Sequence, residues 1–261
     1  MPTDRSFERG AEAQDRPEVA ALARNVISVL NLRPDTKDRR MPAAMRERLM
    51  RQALEPTGFD IEAVLGELLQ ARMAPEDITD LCIPEVAREI GVLWVEDRLS
   101  FAQVSIASAR LQGLVTRLSR QWPDDESDST DVSALLVLQK GDSHTLGTHV
   151  AAAQLRRLGV SVRMLFGADE DMLLRTLSEE RHDLVLFSCS RVENLETISG
   201  QAKRIKLGFP NSPPLVLGGI VLGLTDRVKE RSGVDLVTNE VGAALKMYEQ
   251  DKRAKRPAVV R

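Results

Sequence analysis

The sequence predicts an α + α/β protein, in which an N-terminal helical bundle precedes a doubly wound, five-stranded parallel sheet of flavodoxin-like order. Three observations predict it. Before Trp122 the apolar residues recur at three- and four-residue spacing, the period of a helix face. Directly after Trp122 the acidic stretch PDDESDSTD interrupts both the period and the hydrophobicity. Beyond it, five short apolar runs rich in Val and Leu alternate with five helical segments, the pattern of strands buried on both faces of a parallel sheet. A chain of 261 residues is long enough for two such units, each with a core.

In chain order, residues 1–18 are polar and expected to be disordered. The segment 19–32 (VAALARNVISVLNL) is an apolar helix candidate that stops at Arg33-Pro34-Asp35. It either joins the bundle or offers a face to a partner. Helical patterns follow at 43–55, 60–72, 75–96 and 100–121, separated by Pro56-Thr57-Gly58, Ala74-Pro75 and the break from Arg98 to Ser100. The last is the clearest, because Phe101, Val104, Ser108, Leu111, Val115 and Leu118 step along one face. Residues 19–122 therefore form the bundle and 123–133 an acidic linker. Strands are expected at 134–139, 160–166, 183–189, 214–217 and 234–238, with helices at 147–158, 170–181, 193–207, 221–231 and 240–251. The α/β domain thus covers 134–251. A basic tail, 252–261, closes the chain, its Lys and Arg suited to a solvated helix end.

With 36 basic and 39 acidic side chains the net charge is −3, which argues against a dedicated nucleic-acid binder, since neutralising phosphates needs a surplus of cations. The 29% charged residues exclude an integral membrane protein, and the charged N-terminus lacks the apolar core of a signal peptide. Cys82 and Cys189 sit far apart within apolar segments, as buried thiols of a reducing compartment do. A soluble cytoplasmic protein is expected. Any imidazole chemistry must use His144, His149 or His182, because the chain has three His in all. His149, five residues beyond His144, turns to another face and suits a surface or supporting position. His182 suits the turn into the third strand.

A ligand of a doubly wound sheet sits outside the carboxyl ends of the strands, where the strand order reverses. The loop after the first strand runs Gly141-Asp142-Ser143-His144-Thr145-Leu146-Gly147. A solvated loop histidine would have the same spacing. The crevice position favours the alternative, in which one ring nitrogen ligates a metal while a nearby carboxylate fixes the other N–H. Ser188-Cys189-Ser190 ends the third strand, and Gly218-Gly219 follows the fourth with no side chain beside the same crevice. Three open or polar loop ends suggest a large, flat or elongated ligand.

Together, Asp142-Ser-His144-Thr145-Leu146-Gly147, Ser188 and Gly218-Gly219 resemble the cobalamin-binding, Rossmann-like domain of methionine synthase and the corrinoid proteins, whose pattern is DxHxxG, SxL and GG. The resemblance implies that His144 is the lower axial ligand of cobalt in base-off cobalamin, with Asp142 hydrogen-bonded to its distal nitrogen. It also implies that Ser188 meets the displaced nucleotide tail and that Gly218 and Gly219 let the tail pass close to backbone. Ser190 stands where the family has Leu, which changes the polarity of the tail pocket. Upstream, the segment from Cys82 to Trp94 resembles the helical cap over the upper corrin face, with Trp94 as its shielding aromatic. A plain bundle-core tryptophan is the alternative. Light-sensing relatives of the CarH type carry Glu-His where this chain has Val104 and Ser105, so no cap imidazole is available to capture cobalt.

The wording from Trp94 to Gln112, followed by His144-Thr145-Leu146-Gly147, is most similar to the AerR/PpaA group, over about residues 60–250. That resemblance implies a cobalamin-binding, light- or redox-responsive antirepressor, not an enzyme, which acts on a transcriptional repressor of the CrtJ/PpsR type controlling photosynthesis genes. DNA is then reached only indirectly, in keeping with the net charge of −3. Two alternatives remain open from the residues: a corrinoid methyl carrier serving methyltransferases, and a haem sensor using the same His144.

Overall fold

In the computed structural model, which describes residues 41–120 and 131–255, the bundle comprises α1 (Ala43–Leu54), α2 (Ile61–Gln70), α3 (Pro75–Asp77), a π-helical turn (Ile78–Cys82), α4 (Ile83–Val95) and α5 (Phe101–Ser119). The helix candidate at 19–32, residues 1–18, most of the acidic linker and the tail beyond Lys255 lie outside the described residues. Asp60 starts α2 by accepting hydrogen bonds from the Glu62 and Ala63 N–H groups, and Ser100 with Gln103 closes a capping box on α5. The single helix expected over 75–96 is interrupted. Pro84 has no N–H and its ring crowds the Asp80 carbonyl, and the chain accommodates it with one wide turn in which the Ile83 N–H reaches the Ile78 oxygen. Leu49, Leu65, Ile78, Ile83, Ile90, Leu111, Leu114 and Leu118 form the bundle core.

The second unit runs β1 (Ser133–Gln139), α6 (Thr145–Arg157), β2 (Ser161–Ala168), α7 (Glu170–Glu179), β3 (Leu184–Ser188), α8 (Asn194–Gly208), β4 (Leu215–Gly218), α9 (Val228–Ser232), β5 (Leu236–Val237) and α10 (Val241–Lys255). All strand pairs are parallel and the order is β2-β1-β3-β4-β5, the expected flavodoxin-like order. β1 lies between β2 and β3 and is buried from Ala134 to Gln139. One sheet face is covered through Leu155 of α6 and Val241, Ala244 and Tyr248 of α10. The other is covered through Leu173 of α7 and Leu195, Ile198 and Ile205 of α8.

Two boundaries differ from expectation. The helix expected over 221–231 is a 3-10 turn (Ile220–Gly223) followed by the short α9, because Gly219 at φ +110° and Arg227 at φ +56° break the helical path on either side. The helix expected from 147 begins at Thr145, which places Gly147 in its first turn. No helix among the described residues is long and apolar enough to cross a membrane.

The two units share packing. Leu146, Val150 and Ala153 of α6 belong to the bundle core cluster, so α6 is covered by the sheet on one side and by the bundle on another.

Candidate functional site

The carboxyl end of β1 turns sharply at Gly141, whose φ of +82° suits glycine, and the Asp142 N–H bonds back to the Gln139 oxygen at 3.1 Å. This turn sends the Asp142 side chain inward, with none of its surface exposed. There it is met by two residues. Oδ1 accepts from the His144 N–H at 3.0 Å, from His144 Nδ1 at 3.1 Å and from the Ser190 hydroxyl at 2.6 Å, while Oδ2 accepts from the Ser190 N–H at 3.0 Å. Burial alone would raise the Asp142 pKa; the hydrogen bonds from His144 and Ser190 outweigh it and bring it down to about 2. Asp142 is therefore an anion at neutral pH.

This fixes the imidazole. Ser190 Oγ lies 2.8 Å from His144 Nδ1 and directs its own proton at Asp142, so Nδ1 faces an acceptor-only carboxylate and an oxygen lone pair. The geometry accordingly makes Nδ1 the donor, so that in the neutral tautomer it selects the lone pair lies on Nε2, on a side chain that is 45% exposed. A ligand imidazole needs such a pre-oriented, unprotonated nitrogen. Among the described residues no three His, Cys, Asp or Glu side chains converge on one point, so a metal held here by His144 has to bring most of its coordination with it, as a macrocycle does.

Ser190 is placed beside Asp142. It is buried, and its hydroxyl and N–H both serve Asp142. Ser188 ends β3 in register with Leu138 on one side and Gly218 on the other, and it stays partly exposed at the crevice. The two glycines are not simply open space. A Cβ on Gly218 would lie 2.7 Å from the Thr238 carbonyl, and one on Gly219 would lie 2.4 Å from the Cys189 carbonyl. Backbone of neighbouring loops thus occupies the side-chain direction, and the Asn239 Oδ1 accepts from the Gly219 N–H at 2.6 Å. Gly147, in contrast, borders empty space on the side where a Cβ would be.

On the bundle side, Trp94 is half-buried, Val104 packs against the bundle core and Ser105 is exposed. Phe101 is 73% exposed at the start of α5. Sequence reasoning assigned no role to Gln112. Its Oε1 accepts from the Thr145 hydroxyl at 2.6 Å and so ties α5 to the residue after His144. The other histidines stand apart. His149 stacks on Phe166 with ring centroids 5.6 Å apart, and burial lowers its pKa. His182 is buried before β3, with Nδ1 3.0 Å from the Ser133 hydroxyl, and burial lowers its pKa too. Cys82 and Cys189 are buried free thiols, pushed by that burial up to about 12 and about 11.

Residues 45–119, essentially α1 to α5, match the family described as B12 binding domain. A Rhodobacter capsulatus protein named as an uncharacterized 20.5 kDa protein in the bchF-crtJ intergenic region is 31% identical over 189 residues, which cover 72% of this chain and 98% of that protein. Among solved structures, the monomethylamine corrinoid protein of Methanosarcina barkeri has the same fold, with a TM-score of 0.64 at 15% identity over 79% of this chain and 96% of that one. A cobalamin-binding protein of Desulfitobacterium hafniense DCB-2 is 15% identical over 79% of this chain and 98% of its own, with a TM-score of 0.42.

Proposed function

Because the chain belongs to one family with the Rhodobacter capsulatus protein of the bchF-crtJ intergenic region and its residues 45–119 match the B12 binding domain, we propose that it binds cobalamin through His144 and acts as a light- or redox-responsive regulator. Its partner in this reading is a repressor of the CrtJ/PpsR type, in line with the AerR/PpaA resemblance and with the locus named for the relative. The observation that carries the reading is the Asp142–His144–Ser190 cluster, which makes Nδ1 the donor and leaves Nε2 open at the carboxyl end of the sheet.

When bound, the cofactor would supply a cobalt centre whose ligation is sensitive to light or redox state. The chain's own residues then have separate tasks. His144 would hold the metal while Asp142 and Ser190 fix the imidazole ring. Gly147 would leave room for a flat ligand, Ser188, Gly218 and Gly219 would flank its tail, and Trp94, Val104 and Ser105 would border the flat ring from the bundle. The two residues after His144 both touch that bundle: Thr145 bonds Gln112, and Leu146 packs into the bundle core. A displacement at His144 would therefore meet the bundle within one helical turn, as the sensor reading requires.

The test is reconstitution of the purified protein with hydroxocobalamin and methylcobalamin, with visible spectra before and after illumination. The expected result is a bound, base-off spectrum that changes with light and is absent in His144→Ala. Binding of haem in place of cobalamin would overturn the cofactor assignment. Methyl transfer from the loaded protein to a thiol, with a methyltransferase supplied, would replace the regulator by the carrier.

A further inference from the structure

The sheet face remote from the bundle carries a groove that no other described part of the chain fills. It is an open depression of about 660 Å³ between α7 and the end of α8, lined by Leu174, Arg175, Ser178, Arg204, Leu207 and Phe209. Leu207 is 87% exposed, the most exposed large hydrophobic side chain among the described residues, and it stands beside Leu174 and Phe209. An isolated exposed leucine is ordinary, but one that is continuous with two further apolar side chains in a concavity between helices is an anchor position.

The rim is cationic. Among the described residues, the Arg175 guanidinium has no hydrogen-bond or ion-pair partner, and neither has the Lys203 ammonium, which lies one helical turn before Leu207. Arg204 makes an exposed ion pair with Glu170 at 3.3 Å. A groove of this kind, apolar at its floor and basic at its edge, complements an amphipathic helix whose apolar anchors are flanked by Asp and Glu.

We propose that the α7–α8 groove docks an acidic amphipathic helix of the protein partner, an inference that rests on the regulatory reading above. The groove is also joined to the candidate cofactor site. α8 begins four residues after Ser190, and Gln201 within it exchanges two buried hydrogen bonds, at 2.9 and 3.1 Å, with Gln139, three residues before Asp142. The helix that walls the groove is thus held by the last residue of β1, the strand that leads into the loop carrying His144.

The experiment is fluorescence anisotropy of the labelled repressor titrated with the full chain loaded with hydroxocobalamin. Leu207→Asp and Arg175→Glu, both at the surface, are each expected to weaken binding roughly tenfold or more while the cobalamin spectrum and the thermal midpoint stay as in the wild type. Wild-type affinity should also fall as salt rises. If both variants bind the repressor as tightly as the wild type, the groove is not the docking surface and the regulatory reading stands. If the wild type itself does not bind the repressor, the regulatory reading fails and takes this proposal with it. If sedimentation finds a wild-type dimer that Leu207→Asp dissociates, the occupant is a second copy, and the acidic helix is overturned.

Discussion

A carboxylate taken wholly out of water is costly unless its lone pairs are met, and Asp142 is met by four donors, two from His144 and two from Ser190. Its lowered pKa has a definite sign in stability. The contribution, on the order of 2 kcal/mol, is complete above the ordinary carboxylate value near 4 and is lost as pH falls through about 2, because only the unfolded chain takes up the proton in that interval. Urea melts from pH 7 down to 2 should show the wild type exceeding Asp142→Asn by an amount that shrinks below about pH 4; a constant gap would mean that Asp142 is not the group responsible. Ser190→Leu restores the apolar side chain of the resembling family and removes the two side-chain contacts of the hydroxyl, to Asp142 and to Nδ1. Cobalamin affinity in that variant should drop roughly tenfold, as measured by equilibrium titration, the usual effect of losing a group that orients a metal-ligating histidine.

At the scale of elements, the two site glycines separate a backbone requirement from an open approach. Gly219→Ala puts a methyl at a φ of +110° and 2.4 Å from the Cys189 carbonyl, so it should cost roughly 2–4 kcal/mol in a urea melt, cofactor or none. Gly147→Ala adds a methyl in empty space inside α6 and should stabilise the cofactor-free protein by about 0.5–1 kcal/mol, yet weaken cobalamin binding if the ligand fills that space. Much of this architecture was legible in the chain. Five buried runs between helical segments predict a parallel sheet and its order, because alternation and full burial leave few other arrangements. The missed features depend on contacts distant in sequence. Ile220 to Gly223 begins an apolar, helix-like pattern, but Gly219 is pinned by Cys189 thirty residues away, and the chain turns instead. The role of Ser190 was hidden for the same reason, since its partner lies 48 residues earlier. Pro84 was in plain view, but whether a proline ends a helix or widens one turn is decided by the packing of Ile78 and Ile83 in the core.

For the molecule as a whole, the question is how a ligand at His144 is felt by the bundle, and α6 gives the answer in its contacts. At its first residue Thr145 donates to Gln112 of α5; at its last, Arg157 donates to Asp80 of the π-helical turn at 2.5 Å; between them Leu146, Val150 and Ala153 pack into the bundle core. The helix has 13 residues, about 20 Å in length, and is tied to the bundle at both ends. The link next to His144 is the polar one, and it is separable from the packing. Thr145→Val keeps the shape, leaves the apolar contacts of α6 intact and removes the donor to Gln112. Hydrogen exchange should therefore show hydroxocobalamin protecting both α6 and the first turns of α5 in the wild type, but chiefly α6 in Thr145→Val, with cobalamin affinity retained within about threefold. Asp80→Asn, which weakens the far clamp, should lower the unfolding free energy by roughly 1 kcal/mol while leaving the α5 response in place. Equal protection of α5 in wild type and Thr145→Val would show that the signal crosses through the Leu146, Val150 and Ala153 packing, and the hydrogen bond to Gln112 would then be a structural tie with no part in the response.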